Sequence, residues 1–273
     1  MRTRVAAVSI FMVVFSLAAA IPARAQYGAA RLSDPATGET YHVEVGGYLW
    51  NPTPDIAITS ESLGIIGSRI DFVTDLGIQK SRFNQLRVVL RPAKKHKFRF
   101  EYTPINYDAV GSLNRSIVFN GIVFPLTLPV QTNLQWKAYR IGYEYDFVYR
   151  DRGFFGLLVE AKYTDVNATL HNVLDTEFVE ARAPIPAIGA IARVYVAPNI
   201  SITGEFSGIK LPESINEDYR AKYFDIDVYA TVNFTDHVGA QGGYRSFDVY
   251  YKVDKDEGEL LLKGLYLGGV VRF

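Results

Sequence analysis

"KGLYLGGVVRF", residues 263–273, closes the sequence with apolar side chains at alternate positions: Leu265, Leu267, Val271 and Phe273. Gly264, Tyr266, Gly268 and Arg272 stand between them, and Gly269 interrupts the apolar series once. A period of two belongs to a β-strand with unlike faces. Terminal residues of a soluble domain ordinarily fray, so an alternation that runs to a final aromatic residue asks for a strand paired to its end. That reading holds only if the rest of the chain repeats the pattern.

It does. "HKFRFEY" sets Phe98, Phe100 and Tyr102 against Lys97, Arg99 and Glu101, and "YRIGYEYDF" sets Tyr139, Ile141, Tyr143, Tyr145 and Phe147 against Arg140, Glu144 and Asp146. "FFGLLVEAKY" and "FDIDVYATVNF" alternate in the same way. Short connections ("PAKKHK", "RDRG", "APN", "TDH") alternate along the chain with longer ones near 52–82, 107–130, 171–177, 213–220 and 254–258. Ten strands are predicted, at 41–51, 83–91, 96–106, 131–149, 153–170, 178–197, 199–212, 221–234, 238–253 and 259–273. Each has the roughly nine residues that a tilted strand needs to cross a bilayer. A loop as long as 52–82 is unusual in a compact domain. "SRIDFVTDLG" and "NRSIVFNGIVFPLTLPV" both look extended, so a count of twelve stays open, as does eight if weak strands fuse.

The other end reads differently. "MRTR", the apolar run "VAAVSIFMVVFSLAAA" and "IPARA" form a basic region, a hydrophobic region and a small-x-small site at Ala23 and Ala25. This is the pattern of a secretory signal peptide over 1–25, followed by an expected flexible segment at 26–40 and a barrel domain at 41–273. Removing the first 25 of 273 residues leaves 248, with 26 basic residues against 29 acidic ones. Nothing in that balance points to nucleic acid. Cysteine is absent, so the chain needs no disulfide in an oxidising compartment.

Alternation alone also fits a soluble β-sandwich. Three features favour a membrane barrel. Polar strand faces carry charges of both signs at close spacing (Arg140 and Glu144, Glu160 and Lys162, Arg99 and Glu101). Apolar faces end in aromatic residues, among which Trp136, Tyr139, Tyr145, Phe147, Phe155 and Tyr163 are assigned to interfacial girdles. Short turns alternate with long loops, as in a barrel inserted from the periplasm. A spanning sheet must close, because hydrocarbon offers its backbone no other partner.

With its signal peptide, amphipathic strands and terminal "LYLGGVVRF", the sequence resembles the Gram-negative outer-membrane β-barrel proteins. The likeness to small OmpA- or OmpW-like barrels is one of size. The resemblance implies an all-β, antiparallel up-and-down barrel in the cell outer membrane, with lipids and the barrel-assembly machinery as partners. It also implies that Leu265, Leu267, Val271 and Phe273 form the assembly signal. Omptin proteases in this superfamily use carboxylates and Asp/His pairs near the outer rim. Asp225 and Asp227 have Asp-x-Asp spacing, but no Asp-x-His partner accompanies them, and His42, His96, His171 and His237 are scattered. No enzyme, cofactor or metal site is expected.

One constellation remains: lumen-facing charges at Arg87, Arg91, Arg99, Glu101, Arg140, Glu144, Glu160, Lys162, Arg193, Glu205, Asp225, Asp227 and Arg245, with Glu44 beside them. They read either as a self-neutralising network that fills a narrow barrel or as the wall of a channel for small polar solutes. Ten strands leave little room beyond their own side chains, so the filled barrel is the expectation. The chain is expected to be a monomer with a structural or surface-binding role, in which loops 52–82 and 107–130 meet an extracellular ligand. A porin-like channel is the alternative, and an outer-membrane enzyme, a protease or a lipid-modifying barrel, is the third reading.

Overall fold

The structure, a computed structural model, describes residues 36–59, 67–119, 121–125, 129–172, 176–211, 219–253 and 256–273. The signal-peptide reading at 1–25, with Ala23 and Ala25, lies outside the described residues, as does the stretch 26–35.

In chain order the strands are β1 (Val43–Thr59), β2 (Ile70–Asp71), β3 (Phe83–Ala93), β4 (His96–Ser112), β5 (Ile117–Phe119), β6 (Ile122–Phe124) and β7 (Pro129–Arg150). They continue with β8 (Gly153–His171), β9 (Thr176–Ala197), β10 (Ile200–Lys210), β11 (Tyr219–Asn233), β12 (Val238–Val253) and β13 (Asp256–Arg272). Ten of them, all but β2, β5 and β6, pair antiparallel with their neighbours, and β13 returns to pair with β1. The result is a closed ten-stranded barrel. Among the described residues, the two segments that left the count open form no further wall strands. "SRIDFVTDLG" supplies only the short bridge of β2 to β1 and a turn, and Ile117–Phe119 pairs with Ile122–Phe124 in the separate two-stranded β5–β6 sheet.

Closure is complete at the end that opened the question. Glu44 stands opposite Arg272 in the β1–β13 ladder, and the Phe273 amide donates to the Val43 carbonyl at 2.8 Å. The Phe273 carbonyl accepts from His42 at 2.7 Å. Gly268 matters at this seam, since a Cβ there would lie 2.1 Å from the Gly47 carbonyl and 2.4 Å from the Tyr48 ring. Its absence lets Tyr48 lie inward and donate to Gln241 at 2.6 Å.

The strands outrun the expectation at the long-loop end. β1 continues to Thr59 rather than ending at Asn51, and β7 and β9 reach 22 residues each. That is about twice what a crossing needs, and along β7 the polarity inverts halfway. From Tyr139 toward Phe147 the outward residues are apolar, while Arg140, Glu144 and Asp146 point inward. From Lys137 back to Gln131 the outward residues are polar, while Val130, Leu134 and Trp136 point inward. β8 repeats this, with Phe155, Leu157, Val159 and Tyr163 outside in one half, and Asp165 and Asn167 outside with Ala168 and Leu170 inside in the other. Side-chain parity does not change across the inversion, since the register shift of β7 lies well beyond it between Tyr145 and Val148, so the inversion is written in residue type alone. It divides each wall into a lipid-matched half and a water-matched half.

Tyr102, Tyr139 and Tyr163 share one register row at that boundary, with ring centroids 4.8 and 6.3 Å apart. At the other edge of the apolar belt Phe147 meets Phe155 edge-on at 4.9 Å. Trp136 belongs to neither girdle. It is 3% exposed and faces the interior against Phe247 at 5.2 Å, because it shares parity with Arg140 and not with Tyr139.

Candidate functional site

The odd-numbered side chains of β4, the even-numbered ones of β7 and their counterparts around the wall converge in the lipid-matched half. There they form an unbroken series that alternates in sign. Asp146 meets Lys97 (2.9 Å), Lys97 meets Glu144 (2.6 Å), and Glu144 meets Arg99 (2.6 Å). Arg99 pairs with Glu205, Glu205 with Arg140 (3.1 Å), Arg140 with Glu160 (2.5 Å), and Glu160 with Lys162 (3.4 Å). Lys162 meets Asp225 (3.0 Å), Asp225 meets Arg245 (2.7 Å), and Arg245 meets Glu101 (2.5 Å). Glu101 meets Arg87 (3.2 Å), which ends the series on Asp227 (3.0 Å). Tyr229 donates to Glu205 at 3.0 Å and Tyr266 to Asp227 at 2.9 Å.

All of these charges are buried. Desolvating a charge is expensive unless opposite charge and hydrogen bonds return the lost hydration, and here each carboxylate touches at least one cation. The partners differ from those that sequence spacing suggests. Glu160 does pair with Lys162 two residues away, but Arg140 turns to Glu160 and Glu205 rather than Glu144, and Arg99 turns to Glu144 and Glu205 rather than Glu101. Side chains two apart on a strand run parallel, whereas neighbouring strands and the opposite wall present their charges head-on.

Arg91 and Arg193 stand apart from this series, at the short-turn end. Glu39 brings them together, at 3.5 Å from Arg91 and 2.8 Å from Arg193, and also accepts from Tyr195 at 2.9 Å. Burial alone pushes the Glu39 carboxyl up. The charge of Arg193, joined by those of Lys97 and Arg91, outweighs it and holds the group below the usual carboxylate range. Residues 37–39 reach this position through hydrogen bonds from Thr37 to the Pro198 carbonyl (2.8 Å), from Asn233 to the Thr37 carbonyl (2.6 Å) and from Gly38 to Asp236 (2.8 Å). Gly38 has φ of 84°, and a Cβ there would approach Arg272 Nη1 to 2.7 Å. Arg272 itself pairs with Glu44 at 2.5 Å. Lys97 and Asp146 were legible from their parity with Arg99 and Glu144. Glu39 was not, because it precedes the first strand and carries no periodic signal.

The interior of the water-matched half is apolar. Trp50, Phe83, Ile105, Tyr107, Leu134 and Trp136 line it, and Phe72, Ile117, Phe119 and Phe124 fill it from the connections at 67–82 and 113–125. Those two connections are tied together. The Ser68 amide donates to the Val118 carbonyl at 3.0 Å, Asn114 to the Thr74 carbonyl at 2.7 Å, and Arg115 pairs with Asp75 at 2.7 Å. The Arg115 guanidinium holds the Asp75 carboxyl below its ordinary value. Between the apolar part and the ion pairs lies a void of about 20 Å³, which Trp50, Glu101, Arg140, Arg245 and Phe247 help to line.

Asp225 and Asp227 therefore sit deep in the barrel on Arg245, Lys162 and Arg87, away from the outer rim. The resolved partners of the histidines are the Arg91 carbonyl for His42, Tyr143 for His96, Thr176 for His171 and the Arg272 carbonyl for His237. No metal-ligating cluster occurs among the described residues. Leu265, Leu267, Val271 and Phe273 project outward from β13, and Phe273 is 69% exposed.

A closed antiparallel wall with an apolar belt outside and charges inside defines the outer-membrane class of β-barrel. The chain has that fold. It superposes on the outer-membrane protease OmpT from Escherichia coli with a TM-score of 0.59, at 10% identity, over 88% of this chain and 99% of that one. At that identity the likeness is one of fold alone. The toluene transporter TodX of Pseudomonas putida (10% identity, 90% of this chain and 94% of that one, TM-score 0.37) superposes too loosely to carry an argument. The same holds for the attachment invasion locus protein Ail of Yersinia pestis (9% identity, 85% and 99%, TM-score 0.37). No protein-family model and no curated protein matches the sequence.

Proposed function

We propose that this chain is a monomeric outer-membrane barrel with a closed lumen, serving as a structural and surface-binding element rather than as a solute channel or an enzyme. The observation that carries the proposal is the interior itself. Ion pairs cross it in the lipid-matched half, an apolar core occupies it in the water-matched half, and residues 37–39 lie across its short-turn end. Water and ions would have to displace buried, mutually paired charges and then a largely apolar core, neither of which readily replaces their hydration. In this reading the short turns face the periplasm, outer-membrane lipids surround the apolar belt, and the barrel-assembly machinery reads Leu265, Leu267, Val271 and Phe273. The linked connections at 67–82 and 113–125 form the extracellular surface that meets a ligand.

Purified protein reconstituted in a planar bilayer tests this directly. The expected trace is flat at all voltages up to bilayer breakdown. Reproducible single-channel steps from the unmodified chain would replace this proposal with the porin-like alternative.

A further inference from the structure

The barrel wall is not continuously hydrogen-bonded in its water-matched half. β4 pairs with β7 without interruption from His96–Tyr145 to Ser112–Pro129. On its other side the ladder to β3 stops at Leu86–Tyr102, although β3 itself extends back to Phe83, where it pairs with β1 alone. Upstream of Phe83 the chain runs as the irregular segment 77–82, entered through Gly77 with φ of 72°.

The direction of the unpaired groups follows from geometry. In an antiparallel strand the N–H and C=O of one residue point to the same neighbour, and successive residues alternate. The Asp146 amide of β7 donates to the Lys95 carbonyl at 2.9 Å, and Ala93 stands opposite His96 across the β3–β4 turn. Odd-numbered residues of β4 thus serve β7, and even-numbered ones face β3 and, above Tyr102, the open seam. Pro104 fits this parity, because a proline is tolerated in a sheet only where no ladder needs its N–H. Asn106, Asp108 and Val110 direct their main-chain groups into the seam, and among the described residues no backbone hydrogen bond joins them to 77–82. A groove of about 370 Å³ lies along this edge, with Lys80 on one wall and Asp108 on the other.

We infer that this edge is a docking site for an extended segment of a partner polypeptide, which adds to β4 as a further strand. An exposed strand edge is a template for pairing unless charge, bulging or cover blunts it. Main-chain bonds to Asn106, Asp108 and Val110 supply the affinity in such an addition, and flanking side chains supply the choice of partner. Val110, 76% exposed, favours an apolar or β-branched neighbour, and the charges on the two walls favour an acidic residue beside Lys80 and a basic one beside Asp108. The site lies beyond the apolar belt, where water keeps the edge solvated until a strand arrives. The inference rests on the reading of the chain as a surface-binding barrel and names its partner class.

The test is selection of short random peptides on the purified full-length chain in detergent micelles. Selected peptides should protect the amides of Asn106, Asp108 and Val110 from hydrogen exchange. N-methylation at alternate peptide positions should abolish binding. Val110→Pro removes a seam-facing N–H and no bond to β7, so the variant should keep its folded gel mobility while peptide affinity falls by up to about tenfold. Lys80→Glu should select against the same acidic peptides. Binding that survives N-methylation at every position and is indifferent to Val110→Pro would overturn the inference, as would failure to recover any peptide that protects these amides. Either result leaves the closed lumen untouched, because that stands on conductance.

Discussion

Glu101 on β4 and Arg245 on β12, 144 residues apart in the chain, touch at 2.5 Å across the interior of the barrel. β3, β1 and β13 separate their strands along one side of the wall. A contact of that length joins nearly opposite walls by two side chains alone. The closed-lumen proposal predicts what happens when it is cut.

Glu101→Ala removes the carboxylate that Arg245 and Arg87 share and leaves buried positive charge uncompensated. Breaking a buried pair of this kind costs about 3–5 kcal/mol. Urea unfolding in micelles should show a loss of that size, with the bilayer trace still flat. A loss of about 1 kcal/mol or less is what screened charges in a wet lumen would give, and would count against the proposal.

Trp136 and Tyr139 lie three residues apart on β7, one in the apolar core and the other on the lipid-facing girdle. Trp136→Ala should lower stability by about 3–5 kcal/mol through the cavity it leaves. Tyr139→Ala leaves a surface that detergent or lipid refills and should lower it by well under half as much. Equal losses in the same unfolding assay would contradict the inward placement of Trp136.

Topology is testable by labelling. Val73 and Val123 are exposed on the two linked connections, and Asp151 is exposed in the β7–β8 turn. Single cysteines at Val73 and Val123 should react with an impermeant maleimide on intact cells, whereas one at Asp151 should react only after the outer membrane is breached. Uniform labelling of all three would remove the assigned orientation.

Phe273 makes its bonds to His42 and Val43 through the main chain and leaves its ring exposed. Phe273→Ala should therefore refold in micelles with nearly unchanged stability while accumulating poorly as folded barrel in cells. Heat-modifiable gel mobility reads both. Normal accumulation in cells would show that the ring is no assembly signal.

Glu39 gives a pH dependence with a definite sign. Its carboxyl lies below the ordinary value near 4.5, so the stability it contributes is present above that value and lost as pH falls through the lower folded one. A fluorophore on a Thr37→Cys variant should be immobile at neutral pH and gain mobility only on strong acidification. Glu39→Gln should free it across the whole range. Release on alkalinisation instead would have the wrong sign for a paired carboxylate.

Most of the barrel was readable from alternation. Leu265, Leu267 and Val271 mark an outward face without any structure, and Arg140, Glu144 and Glu160 mark an inward one, because side chains in a strand alternate strictly by parity. Parity also bounds what such a reading can see. The tendency of aromatic residues to end apolar faces places Trp136 outside, whereas its parity with Arg140 puts it inside. The sequence by itself determined the β class, the alternation of short turns with long loops and the set of charges that share an interior; closure of β13 on β1 then decided for ten strands over eight or twelve. Only the tertiary structure decided which charge meets which, because partners such as Glu101 and Arg245 lie on opposite walls and no local spacing relates them. It also decided that Phe72, Ile117, Phe119 and Phe124 turn inward from their connections, and that Glu39 reaches Arg91 and Arg193. Neither is periodic: their positions follow from the volume and charge that barrel closure leaves to be filled.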